Sequence, residues 1–187
     1  IGLQEFQYPQ YQVWEQQMGD SWDTYPALLW GNKGMRNSVA WRTDQWTLVS
    51  GSWVKVPYFH GTILRMPVVL LQHVTTGQQV YVASFHNPAD ARGPAARWRK
   101  QATDIEIAMV NRLRTETGLP VYVTGDMNER DIYYCRMTAG TDMVAANGGF
   151  NNGTGTLTGC GPTRPTYIDW IFGSPETTFT GYVANPG

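Results

Sequence analysis

Five polar side chains stand at the ends of apolar runs, where a packed scaffold can hold them rigidly beside a cleft: Glu5, His86, Asp126, Asn128 and Asp169. His86 closes Val80-Tyr81-Val82-Ala83-Ser84-Phe85 and precedes Asn87-Pro88, which puts an imidazole able to move a proton at a strand rim. In Val121-Tyr122-Val123-Thr124-Gly125-Asp126-Met127-Asn128, strand alternation sets Tyr122, Thr124, Asp126 and Asn128 on one face and Val121, Val123 and Met127 on the other. Carboxylate and amide then project together if the extended geometry continues, and Gly125 permits a close backbone approach. The alternative is an ordinary turn made by Asp126, Asn128 and Asp131. Asp169 lies in Tyr167-Ile168-Asp169-Trp170-Ile171-Phe172, where a central carboxylate is costly unless bonded, paired or near a metal. Its partner is either a structural Arg or Ser, or part of a site. Glu5 offers a hard oxygen to a divalent cation or is a solvated strand end. His60 and His73 lie in turn-like sequence and read as surface or hydrogen-bonding residues. Zincin, serine-hydrolase and phosphate-loop motifs are absent.

The elements that must position these groups are legible from periodicity. Residues 37–41, 45–50, 62–73 and 79–86 read as strands, and Thr75-Thr76-Gly77-Gln78 as a hairpin turn. A short strand ends at Glu5, and residues 9–18 form a short helix, with Val13, Trp14 and Met18 at helical spacing and Gly19 as its stop. A long helix spans 94–117, with Trp98, Ala102, Ile105, Met109 and Leu113 along its apolar stripe and Gly118 at its end. Strands at 121–124 and 167–172 follow, and the chain closes on an extended stretch running into a turn. This order predicts layered α/β structure in one domain over 1–187.

Composition narrows the function classes. Fourteen basic and 15 acidic side chains give a net charge of −1, which excludes a generally basic protein that coats nucleic acid. No apolar run is long enough to cross a bilayer as a helix. Arg65, Arg92, Arg97 and Arg99 are candidate phosphate contacts or solvated side chains. Cys135 and Cys160 enclose a segment rich in Gly, Asn and Thr; in a secreted protein they read as a disulfide, in the cytosol as two buried thiols. The scarcity of Lys and abundance of Trp, Tyr, Asn, Gly and Thr lean towards an extracellular protein, and a monomer is expected.

The ordered set Gly2-Leu3-Gln4-Glu5, Phe85-His86-Asn87-Pro88, Gly125-Asp126-Met127-Asn128 and Ile168-Asp169-Trp170-Ile171-Phe172 resembles the endonuclease/exonuclease/phosphatase family, the deoxyribonuclease-I-like proteins. The resemblance covers nearly the whole chain, and its narrower likeness is to a secreted actinobacterial branch. It implies a four-layer α/β sandwich: two mostly antiparallel sheets packed face to face, with helices outside. It also implies a phosphoesterase site using Mg²⁺, with Mn²⁺ or Ca²⁺ as alternatives. Glu5 would be the metal-binding glutamate. Asp126 and Asn128 would orient the water and the phosphate, His86 would bond a phosphoryl or leaving-group oxygen, and Asp169 would support the array. The family's Asn on a preceding strand and its later Asp-His pair are not found, so the resemblance implies a domain incomplete at both ends. The substrate expected is a phosphate ester, first a phosphodiester such as nucleic acid, with phospholipid or sugar phosphate as alternatives. A different class, a non-catalytic extracellular module that stacks exposed Trp and Tyr on sugars or bases, is the rival.

Overall fold

The computed structural model describes residues 1–184, so the turn expected at 185–187 lies outside the described residues. In chain order the elements are β1 (Gly2–Leu3), α1 (Tyr8–Met18), β2 (Trp22–Tyr25), the single turn α2 (Gly31–Gly34), β3 (Ser38–Arg42), β4 (Trp46–Pro57), β5 (Ile63–His73) and β6 (Gln79–His86). There follow α3 (Ala96–Thr117), β7 (Val121–Asp126), α4 (Asp131–Gly140), β8 (Val144–Ala145), β9 (Gly149–Asn151), β10 (Cys160–Pro162) and β11 (Asp169–Gly173).

Two sheets carry the architecture. One is antiparallel with strand order β1-β3-β2; the other has six strands in the order β4-β5-β6-β7-β11-β8, with β6 and β7 parallel. A parallel pair needs a crossover, and α3 supplies it. Gly118 ends that helix in the left-handed conformation (φ 69°) that a residue without Cβ adopts freely. The alternation within β5 shows how the layers stack. Met66 and Val68 enter the core beneath α3 and α4, whereas Val69 and Leu71 face Val39 and Trp41 of the small sheet. A strand buried on both faces reads as a continuous apolar run, which is the reason for Pro67 to Leu71. On the far side α1 lies against the small sheet, with the rings of Trp14 and Trp22 edge to face at 5.8 Å. The expected sandwich, with helices outside two facing sheets, is the observed fold.

Several local expectations are corrected. Helix α1 buries no residue fully and Val13 is exposed, because the helix covers an edge and not a core. Strand β4 runs to Pro57, well beyond residue 50; the turn-like Ser50-Gly51-Ser52 in its middle hid its length. Strand β2 and helix α4 were not foreseen. On α3 the buried face includes Arg99, Thr103 and Glu106, while Trp98 is half-buried, so polar residues share the stripe. Cys135 of α4 and Cys160 of β10 are disulfide-bonded across 25 residues, Cα to Cα 5.7 Å. Trp41 and Trp170 are buried, and the Arg65 guanidinium lies 5.0 Å over the exposed Trp53 ring.

Candidate active site

Strand register builds the centre of the site. His86 at the end of β6 is the parallel partner of Asp126 at the end of β7, and Asp126 is the antiparallel partner of Asp169 at the start of β11. Three neighbouring strands thus present imidazole and two carboxylates in one row. His86 Nε2 stands 3.8 Å from Asp126 Oδ2. Gly125, one position earlier, lies so close to β6 that a Cβ there would sit 2.1 Å from the Phe85 carbonyl oxygen. Its φ of 154° adds a second reason for glycine.

Strand β1 brings Glu5 to this row by docking on the large sheet. A Cβ on Gly2 would meet Thr124 Oγ1 at 1.9 Å, so only glycine allows the approach. Gln4 Nε2 donates to Ser84 Oγ at 2.8 Å, and Ser84 Oγ donates to the Leu3 carbonyl at 3.3 Å. Beyond Glu5, the Phe6 N–H donates to the Arg36 carbonyl at 3.0 Å. Held between these anchors, Glu5 has φ 54°, a left-handed conformation unfavourable for a residue with a Cβ and concentrated at functional sites. Glu5, Tyr58 and His86 line one cavity of about 380 Å³. Tyr58 OH lies 3.5 Å from His86 Nε2.

Asn128 departs from the expected geometry. The strand ends at Asp126, Asn128 takes φ 49°, and its backbone N–H donates to Asp126 Oδ1 at 2.8 Å. The turn reading is therefore correct for the backbone, and it brings the amide back to the site: Asn128 Nδ2 donates to the Asn87 carbonyl at 2.8 Å. Asp131 is elsewhere, bonded to Arg164 as the first residue of α4. Asp169 is also corrected, being exposed at a strand end without a buried partner. It borders a neighbouring cavity of about 590 Å³ with Gly2, Gln4 and Tyr167, so it joins the row through Asp126 and not through the cavity of Glu5. His73 Nδ1 accepts the N–H groups of Thr75 and Thr76, as a turn histidine should.

Electrostatics follow from this packing. Burial pushes the Asp126 carboxyl above the usual range; the Asn128 N–H and His86 oppose the shift, and the charges of Asp169 and Glu5 reinforce it. Partial burial raises Asp169 as well, against the pull of His86. The Tyr58 hydroxyl is raised by burial and then by Glu5 and Asp126. Glu5 and Asp126 therefore share one field.

Sequence reasoning missed the polar support beneath the row. Asn87 is fully buried, and its N–H donates to the Asp126 carbonyl at 2.9 Å. Its side chain faces Glu106, which accepts a 2.7 Å hydrogen bond from Tyr133 OH and whose pKa burial lifts to about 7. Arg99 bonds Glu129, Asp90 and the Pro88 carbonyl from a buried position, so it is structural and not a phosphate contact. Glu106 could have been found, since it interrupts an apolar stripe four residues after Ala102. Nothing in the sequence marked Tyr58.

The donor set available for a divalent ion is oxygen-rich and open. Among the described residues no group of three or more His, Cys, Asp or Glu is placed to hold a metal ion. An exposed Glu5 beside a partly buried Asp126 fits an ion such as Mg²⁺, which keeps several of its waters, and does not fit a dehydrated protein cage.

Fold and site together define an α/β-sandwich protein with an acid–imidazole row at the rim of its larger sheet. The chain belongs to the endonuclease/exonuclease/phosphatase family, whose model matches residues 1–187. Solved structures agree on the fold. The mannosyl-6-phosphatase of Bacteroides thetaiotaomicron superposes with a TM-score of 0.67 at 19% identity, covering 94% of this chain and 70% of that one. The human Nocturnin catalytic domain with bound sulfate gives 0.58 and 15%, covering 89% and 65%. The D. rerio TDP2 complex with a single-strand DNA product gives 0.61 and 14%, covering 93% and 70%. The chain thus spans about two thirds of the length of these neighbours. Among curated protein sequences none matches significantly.

Proposed function

We propose that the protein is a divalent-metal-dependent phosphoesterase that hydrolyses a phosphodiester by attack of water on phosphorus. The observation that carries this reading is the row His86–Asp126–Asp169 with Glu5 beside it. Glu5 would hold the ion, with Mg²⁺ first and Mn²⁺ or Ca²⁺ as alternatives. When bound, such an ion neutralises phosphoryl charge and makes water more acidic. Asp126, its carboxyl raised above the usual range by burial, would accept a proton from the attacking water. His86, whose Nε2 is approached by both Tyr58 OH and Asp126 Oδ2, would bond or protonate the leaving oxygen. Asn128 spends one amide hydrogen on Asn87 and retains a second for a phosphoryl oxygen. Asp169 would hold positive charge on the imidazole.

Family membership and the mannosyl-6-phosphatase and TDP2 neighbours support phosphate-ester chemistry without selecting a substrate. The disulfide supports an oxidising, extracellular setting. The test is hydrolysis of plasmid DNA, RNA, sphingomyelin and a generic bis-phosphate ester by the complete protein, with Mg²⁺ and with a chelator. Turnover that needs the ion is expected; absence of turnover on every ester with every divalent ion sinks the reading.

A further inference from the structure

Ion pairs hold Arg99, Arg112, Arg114 and Arg136 on the helical side of the molecule. Lys33, Arg36 and Arg65 are different. None is ion-paired among the described residues, and all three line the cavity of Glu5 and His86. Three positively charged side chains and the Glu5 carboxylate thus line one cavity of about 380 Å³, in a protein of net charge −1.

Fold stability does not account for this arrangement. Lys55 is the direct cross-strand partner of Arg65 in the β4–β5 pair, and like charges placed opposite each other destabilise a sheet. Arg65 is nevertheless held in place, its guanidinium 5.0 Å over the Trp53 ring. Trp53 in turn meets Trp30, a cavity residue, edge to face at 6.0 Å. None of the guanidinium N–H groups of Arg65 has a hydrogen-bond partner among the described residues, so they are free to bind phosphate oxygens in pairs. A second observation comes from the same wall. Asn37 is 6% exposed, gives Nδ2 to Met66 Sδ at 3.3 Å, and has no hydrogen-bond partner for Oδ1. A buried acceptor left unpartnered is costly unless a ligand donates to it.

We propose that the Lys33–Arg36–Arg65 wall of this cavity is a second-phosphate subsite. It takes a phosphate of the substrate other than the one attacked beside His86 and Asp126. Arg36 and Arg65 bind its oxygens, Lys33 adds charge, and a hydroxyl of the connecting group donates to Asn37. This rests on the phosphoesterase reading and confines it to substrates with two phosphates: a nucleotide chain, as phosphodiester hydrolysis implies, or a sugar bisphosphate, in which the attacked bond would be a monoester.

Binding decides it independently of turnover. The protein is titrated calorimetrically, without divalent ion, with a dinucleotide bearing or lacking a terminal phosphate, and with a sugar bisphosphate or its monophosphate. The extra phosphate is expected to tighten binding about tenfold or more in at least one pair, and the pair that responds identifies the source. Arg36→Ala with Arg65→Ala should bring that ratio to about one, whereas Arg42→Ala with Arg112→Ala, which removes the same charge from exposed ion pairs, should preserve it. A ratio near one in both pairs for the unaltered protein, or one that survives loss of Arg36 and Arg65, overturns the proposal. Hydrolysis by the complete protein without the ratio refutes the subsite alone. The ratio without hydrolysis of any ester refutes the phosphoesterase reading and leaves an anion-binding cavity.

Discussion

His86 makes the sharpest residue-level prediction. Positioned proton transfer contributes about 10²- to 10⁴-fold, so His86→Ala in the complete protein should lower kcat by that order, with the fold intact by circular dichroism. A loss of less than about threefold would assign the imidazole to packing. Glu106 predicts a different signature. Its folded pKa, about 7, lies above the ordinary 4.5, so the folded state binds its proton more tightly than the unfolded chain does. Stability from this group is complete below the unfolded value and falls as pH rises towards the folded one, by up to about 3 kcal/mol. Urea unfolding from about pH 5 to about pH 8 should show this decline, and Glu106→Gln should flatten it. An identical slope in the variant would show that Glu106 is not the group responsible. Residue types alone marked His86, Asp126 and Glu5, because polar groups at the ends of apolar strands stand out. They did not mark Arg36, Asn37 or Tyr58, which resemble any other loop or strand-end residue until a cavity is formed around them.

At the scale of elements, the site depends on how closely β1 and the β6–β7 pair approach one another. Gly2→Ala places a methyl group 1.9 Å from Thr124 Oγ1, which the docked strand cannot accommodate. Overpacking of this kind costs about 1–3 kcal/mol, and the displaced strand carries Glu5 with it. The variant should therefore show a lower denaturation midpoint together with a reduced kcat/KM. A midpoint equal to that of the unaltered protein would mean that β1 is not clamped as described. The long helix, β6 and β7 were readable because their apolar periods are regular. The second half of edge strand β4 and helix α4 were not. The turn-like Ser50-Gly51-Ser52 interrupts the pattern of β4, and α4 begins in a segment whose Asp126, Asn128 and Asp131 spell a turn.

For the molecule as a whole, the disulfide binds α4 to β10 across a loop-rich segment. Closing a loop of 25 residues removes about 3 kcal/mol of unfolded-state entropy in the chain-entropy model. Cys135→Ser with Cys160→Ser should lower Tm by about 10 °C for a protein of this size. A change of only a degree or two, measured calorimetrically, would show that the loop is already ordered without the bond. The sequence by itself determined the layered α/β class, most of the strands and the identity of the chemical groups, because periodicity and burial are local properties of the chain. Which groups meet was decided only by tertiary structure. The register of β6, β7 and β11 aligns His86, Asp126 and Asp169, and the docking of β1 brings in Glu5. The β4–β5 edge turns Arg65 towards Arg36 and Lys33. These are pairings between residues tens of positions apart, fixed by sheet hydrogen bonding and packing that no local pattern encodes.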